Sequence, residues 1–215
     1  MTLMIDQHVK ILFEDENIIA VDKTEGISSI SENDKTVDSI HSLLQKKYSS
    51  KIFIVHRLDK EVSGVILFAK NNVTHKLLNE QFQNRKVIKH YAALVHGNIN
   101  AQSGIIDKPI REFGSGRMGI DEIKGKPSIT EFNVLKQSNS LTLLDLHPTT
   151  GRRHQLRVHL YSIGHPIVGE MKYGDKNIQQ DFPRLMLHAI NITFRINTGK
   201  IIKIESELPD IFNTF

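Results

Sequence analysis

Short runs of β-branched and aromatic residues alternate along the chain with a few stretches of helical spacing. Val9–Phe13 and Ile18–Val21, separated by Glu14-Asp15-Glu16-Asn17, read as a β-hairpin-like pair. From Thr36 to Tyr48 the apolar residues Val37, Ile40, Leu43 and Leu44 recur with the period of a helix, for which Asp34 or Thr36 can supply the cap. Ser63-Gly64 marks a bend before the apolar run Val65–Ala69, which has the length and composition of a buried strand. Asn71-Asn72 can then cap a second helix with the stripe Val73, Leu77, Leu78 and Phe82, and Arg85-Lys86 suits its C-terminal dipole. Val87–His96 alternates as a strand, with Lys89, Tyr91, Ala93 and Val95 on one face and His90, Ala92 and Leu94 on the other.

Asn98–Pro127 is rich in turn residues and reads as a mobile basic loop carrying Arg111, Arg117, Lys124 and Lys126. Ile129–Lys136 and Leu141–His147 alternate as an antiparallel pair that Pro148 ends. Thr149 or Thr150 can cap a helix starting near Arg152, with Leu156, Leu160 and Ile163 buried and Gly164 and Pro166 stopping it. Arg153 and Arg157 would then lie about 40° apart on one rim of that helix, with Arg157 half-buried. Leu185–Ile196 reads as a long strand paired with Lys200–Glu205 across Asn197-Thr198-Gly199, and Leu208–Phe215 as a closing helical turn.

Composition narrows the function classes. The chain has 215 residues, enough for one domain or two closely packed halves, and its 39% apolar and 24% charged content is that of a globular protein. Lys and Arg number 28 against 24 acids, a net charge of +4, which suits a polyanionic partner without requiring one. Cysteine is absent, which excludes disulfides, thiolate zinc sites and cysteine nucleophiles and is compatible with a reducing cytoplasm. No apolar run approaches the roughly 18 residues of a membrane span, and Met1–Gln7 lacks the features of a signal peptide.

The chemistry concentrates in Val55-His56-Arg57-Leu58-Asp59-Lys60-Glu61-Val62-Ser63-Gly64. Asp59 stands between two cations just before a buried strand, and neighbouring cations hold a carboxylate in the ionised form that a nucleophile needs. On charge spacing alone a surface salt-bridge loop explains the same residues. Gly114-Ser115-Gly116-Arg117-Met118-Gly119 has the spacing of a dinucleotide fingerprint but neither follows a strand nor opens an apolar helix, so that reading is rejected. His154 and His159 would fall about 140° apart on their helix, a poor chelating pair, and none of the eleven histidines is expected to bind metal.

The segment around Asp59 closely resembles the nucleophile motif of RNA pseudouridine synthases of the RluA type. Three further blocks agree in order: Lys89–Gly97, Thr150–Leu160 and Arg184–Ala189, so that the likeness runs from about Ile11 to Ile204. Two departures touch turns: Thr24 stands where the family has proline, which should leave the Lys23–Gly26 turn less rigid, and Val62 departs at the bend; Glu170 stands where an aspartate is common.

The resemblance implies an α+β pseudouridine synthase fold over a single catalytic domain, residues 1–215: a mixed, mostly antiparallel central sheet flanked by helices, with the active cleft crossing its middle. It implies an isomerase that converts uridines of ribosomal or transfer RNA to pseudouridine without cofactor or metal. Asp59 would be the nucleophile, Arg157 its ion-pair partner, and Tyr91 the ring that stacks on the flipped base. Arg57 would fill the gap left by the extruded nucleotide or hold its phosphate, Leu187 would floor the base pocket, and Lys60, Arg152 and Arg153 would contact phosphates. With few residues before Val9, no separate N-terminal RNA-binding domain is expected, and the chain is expected to be a cytoplasmic monomer. Two other readings remain: a non-catalytic RNA-binding protein on the same scaffold, and an unrelated hydrolase with an aspartyl nucleophile.

Overall fold

The computed structural model describes residues 4–6, 9–31, 38–114, 116–138 and 140–213. In chain order the elements are β1 (Met4–Asp6), β2 (Val9–Glu14), β3 (Ile18–Lys23), α1 (Ile40–Tyr48), β4 (Phe53–Ile54), β5 (Ser63–Ala69), α2 (Asn72–Gln83), β6 (Ile88–His96), β7 (Ser103–Asp107), β8 (Ile110–Glu112), β9 (Met118–Ile120), β10 (Ile129–Ser138), β11 (Leu141–Pro148), α3 (Gln155–Ser162), α4 (Lys176–Gln179), β12 (Leu187–Arg195) and β13 (Ile201–Glu205), with a closing 3-10 turn at Asp210–Asn213. They form two compact units, one of Met1–Lys89 with Ala189–Glu207 and the other of His90–His188 with Leu208–Phe215.

In the first unit the strands are ordered β1-β2-β3-β5-β12, with β4 also on β5 and β13 on β12. The β1–β2, β2–β3, β3–β5, β4–β5 and β12–β13 pairs are antiparallel. All seven residues of β5 are buried, as its unbroken apolar run requires of a central strand. Ile18, Ala20, Val65, Leu67, Leu78, Ile192 and Phe194 make the core over which α2 packs. The approach of β5 to β12 depends on Gly64. Its φ is +108°, and a Cβ there would be driven into the backbone carbonyl of Ala189.

In the second unit β6-β11-β10-β7 run antiparallel throughout, and β8–β9 is a separate hairpin. The two hairpins expected around Glu14–Asn17 and Gln137–Ser140 are both present, although β2 and β10 each carry an irregularity in register. The segment Asn98–Pro127 is not the unstructured loop the turn residues suggest, since it contributes β7, β8 and β9. Its glycine-rich stretch lies in the β8–β9 hairpin.

The helix boundaries differ from expectation for identifiable reasons. α1 begins at Ile40, where Ser39 and Ser42 form a reciprocal capping box; the expected caps Asp34 and Thr36 lie outside the described residues. Asn71 caps α2 by accepting the Thr74 N–H at 2.9 Å, as expected, but Val73 is exposed and Thr74, Leu78 and Gln81 form the buried face. α2 ends at Gln83, so Arg85, in the left-handed region at φ 55°, lies past the last turn. α3 begins at Gln155 rather than near Arg152, and neither Thr149 nor Thr150 caps it.

Gly64→Ala is expected to lower the unfolding free energy by at least about 2 kcal/mol, because left-handed strain adds to a backbone clash. Urea denaturation measures this, and an unchanged midpoint would mean that β5 and β12 can part at no cost.

Candidate active site

Asp59 lies in the loop between β4 and β5, and the backbone on either side of it is fixed within the first unit. Ser29 brackets Leu58: its Oγ accepts the Leu58 N–H at 3.0 Å and donates to the Leu58 carbonyl at 2.7 Å. Asp59's own carbonyl accepts the Val62 N–H at 3.1 Å, closing a turn, and the Lys60 carbonyl accepts the Gly26 N–H at 2.9 Å. The Lys60 carbonyl also receives Nζ of Lys23 at 3.0 Å. Lys23 is fully buried, and its ammonium donates as well to the carbonyls of Thr24 and Ile27, both at 2.9 Å. Three carbonyl oxygens match the three N–H bonds of an ammonium, which makes burial of the charge tolerable. The turn expected to be loose for want of a proline is therefore pinned by Lys23.

His56 fixes the start of the loop. Its Nε2 accepts the Leu67 N–H at 2.9 Å and its ring stacks on Phe82 at 5.0 Å between centroids. A ring that accepts a backbone proton must be neutral at that nitrogen. Burial, assisted by the nearby Lys89 cation, pushes its pKa down to about 3. Burial also lowers Lys89, to about 8. Arg57 and Lys60 are exposed, while Asp59 is half-buried.

The second unit holds the remaining expected residues. Arg157 is only 3% exposed, more deeply buried than its position on a helix rim suggests, because nearly all of α3 is enclosed. Its Nε and Nη2 donate to the two carboxylate oxygens of Glu170 at 2.6 and 2.7 Å, a bidentate pair. Glu170 is fully buried, and its Oε1 also accepts the N–H groups of Lys172 and Tyr173 at 2.9 and 3.3 Å. The guanidinium lies 5.6 Å from the Tyr173 ring centroid, with Arg117 at 5.3 Å from the same ring. The Tyr173 hydroxyl meets His154 Nδ1 at 2.6 Å and accepts the Met118 N–H at 3.3 Å, tying β9 to the start of α3.

His154 adopts φ 54°, so the chain enters α3 through a left-handed residue rather than a side-chain cap. Gln155 organises the turn before it. Its Oε1 accepts from the Arg152 N–H at 3.0 Å and the Thr150 hydroxyl at 2.7 Å, and its Nε2 donates to the Ile129 carbonyl at 2.9 Å. Arg153 precedes the helix, so it shares no helical rim with Arg157; it pairs on the surface with Glu112 at 3.0 Å. Arg152 reaches the Pro127 carbonyl at 3.4 Å. Tyr91, half-buried on β6, stands opposite Leu146 on β11, and Leu187 is buried at the start of β12. Burial and the nearby Arg184 push His188 down to about 4.

Sequence reasoning did not identify Lys23, Ser29, Glu170 or Gln155 as supports of the site. Glu170 carried a signal as a departure from the family's usual aspartate, and Lys23 and Gln155 lay inside segments that resemble the family without a role being read for them.

A family model described as RNA pseudouridylate synthase matches residues 17–162. A dual-specificity RNA pseudouridine synthase, RluA, of Vibrio vulnificus is 40% identical over 197 residues, covering 88% of this chain and 78% of that protein. The ribosomal large subunit pseudouridine synthase C of Rickettsia typhi is 38% identical over 214 residues, covering 94% and 69%. Among solved structures, human RNA Pseudouridylate Synthase Domain Containing 1 superposes with a TM-score of 0.81 at 27% identity, covering 96% of this chain and 86% of that one. The chain belongs to the RNA pseudouridylate synthase family. Within that family it is of the RluA type, an isomerase acting on uridine in RNA, with the α+β, mostly antiparallel fold that the family has. No described helix is long and apolar enough to cross a membrane.

Glu170→Ala is expected to cost about 3–5 kcal/mol in unfolding free energy, since it removes the bidentate carboxylate from a buried guanidinium; urea denaturation measures the loss, and a change under about 1 kcal/mol (roughly the worth of a surface pair) would mean the fork is not buried in solution. A second expectation concerns acid. His56 and His188 have folded pKa values of about 3 and about 4, below the unfolded value of roughly 6.5, so the unfolded chain takes up protons first as pH falls. Stability present near neutrality should therefore decline as pH drops below about 6.5. Urea midpoints measured stepwise from pH 7 to pH 5 should fall, and a flat profile would mean that both rings are protonated in the folded chain.

Proposed function

We propose that the chain converts selected uridines of ribosomal or transfer RNA to pseudouridine, with Asp59 as nucleophile and without a cofactor. The observation that carries this reading is the Asp59 loop, which matches the family's nucleophile motif and whose backbone is held by Ser29, Gly26 and the buried ammonium of Lys23. A rigid mount suits an acid that must meet one carbon of a bound nucleoside. The names of the Rickettsia typhi and Vibrio vulnificus relatives support ribosomal RNA as substrate and an enzyme tolerant of more than one RNA. Such substrates imply a cytoplasmic location, and the chain would act as a monomer.

In the proposed reaction the bond from ribose to nitrogen 1 of uracil breaks with Asp59 engaged at the sugar, by direct attack or by elimination to a glycal. The base turns, carbon 5 joins the ribose, and the proton lost from carbon 5 is balanced by one gained at nitrogen 1. Arg157 would keep Asp59 ionised and aimed. The Glu170 fork fixes the plane of the guanidinium that would serve this role. Tyr91 would stack on the turned-out ring with its hydroxyl serving proton transfer at carbon 5, over Leu187 as apolar floor. Arg57 would take the place of the extruded nucleotide or hold its phosphate. Lys60, Arg152 and Arg153 would contact neighbouring phosphates, and the exposed Arg153–Glu112 pair is weak enough to be exchanged for one.

Asp59→Asn should reduce uridine isomerisation by at least about a thousandfold while leaving RNA binding within a few fold. Carbodiimide-blocked primer extension on cellular RNA, with and without the gene and the variant, reads the first effect and identifies the uridine. Filter binding reads the second. Substantial turnover by the variant removes the mechanism.

A further inference from the structure

The β6–β11 pair presents a cluster that uridine chemistry does not use. Register sets Asp145 opposite Ala92 and Leu146 opposite Tyr91, so His147 comes across from His90 one step further along. Strand alternation puts Tyr91 on one face and His90, Asp145 and His147 together on the other. Asp145 bridges the two rings, with Oδ1 3.2 Å from His90 Nδ1 and Oδ2 2.8 Å from His147 Nε2. The ring centroids are only 3.6 Å apart, edge to face. All three side chains are 20–27% exposed, open enough for an ion to enter. In the same row Glu131 on β10 lies opposite His147 and is exposed.

We propose that His90, Asp145 and His147 form a binding site for a zinc-class divalent ion on this face of the sheet. One donor atom from each residue lies within 4.8 Å of the other two. Bonds of about 2.0–2.1 Å to a tetrahedral ion would set donors about 3.3 Å apart, a spacing each ring nitrogen already approaches with one carboxylate oxygen, His147 with Oδ2 at 2.8 Å and His90 with Oδ1 at 3.2 Å. The ion would replace the two protons now shared between the rings and the carboxylate. Each imidazole would bind through the nitrogen that now faces Asp145, its single proton passing by tautomer exchange to the far nitrogen, His90 Nε2 or His147 Nδ1, so that no net proton is released. Two imidazoles and one carboxylate suit zinc, cobalt, nickel or copper; magnesium and calcium want oxygen donors. Water or Glu131 would complete the shell, and the ion would cross-link two neighbouring strands. The sequence expectation of no metal-binding histidine weighed spacing along one helix. This trio is assembled across strands, where spacing along the chain gives no sign of it.

The untagged full chain, stripped with chelator, should bind about one Zn²⁺ with micromolar or tighter affinity in competition with a chromophoric chelator. Co²⁺ should give the absorption bands of a low-coordinate site. His90→Gln and His147→Gln should each weaken binding at least about tenfold and abolish the rise in melting temperature that Zn²⁺ produces. The chain has eleven histidines, so binding unchanged in both variants would place the ion elsewhere and overturn the proposal. Failure of the parent chain to bind below about 100 μM would leave the trio a hydrogen-bonded cluster only and overturn it equally. Far-ultraviolet circular dichroism establishes that the variants are folded.

Discussion

A single buried ammonium sets the geometry on which the proposed chemistry rests. Lys23 gives up its water entirely and recovers three carbonyl partners, one of which belongs to Lys60, the residue after the proposed nucleophile. A buried cation without such partners would be untenable, so the turn Lys23–Gly26 and the loop carrying Asp59 are obliged to form together. The end of β3 thus serves as the mount for a loop that begins some thirty residues later. The mount replaces the stiffness that a proline at Thr24 would have supplied.

The second unit also buries a cation, but partners it with a carboxylate rather than with neutral carbonyls. Arg157 is buried along with most of α3, and the chain answers with a fully buried carboxylate that forks its guanidinium and also accepts two backbone N–H groups. Such an arrangement adds little net stability compared with an apolar core, yet it fixes direction, because a bidentate pair has one good geometry. Glu170 in place of the family's usual aspartate is long enough to hold both guanidinium nitrogens and the amides of Lys172 and Tyr173 at once. Direction is what the role proposed for Arg157 requires.

Much of the strand layout was legible in the sequence. β2–β3, β5, β6, β10–β11 and β12–β13 follow from β-branched runs whose alternation records which face is buried. Helix starts were less legible, because their cause is local bonding rather than periodicity. Ser39 and Ser42 cap α1 although Asp34 and Thr36 looked as suitable, and His154 in a left-handed conformation delays α3 to Gln155. That delay moves Arg153 off the helix and alters what it can share with Arg157. Asp59, Tyr91 and Arg157 were nameable through a family motif. Lys23 was not, because three carbonyls from two segments converge only after folding. The trio at His90, Asp145 and His147 is likewise a product of strand register, invisible to any count along the chain.

The reciprocal bonds between Ser29 and Leu58 bear on the motions open to the proposed catalytic loop. Loops that carry reactive groups usually open at little cost, whereas here the amides of Gly26, Leu58 and Val62 are all engaged within the first unit. Releasing the backbone around the acid would mean undoing contacts made by a wholly buried lysine. The segment should accordingly exchange its amide hydrogens as slowly as the strands that flank it, and whatever rearrangement admits a nucleoside must be sought in side chains or in the RNA rather than in this stretch of main chain.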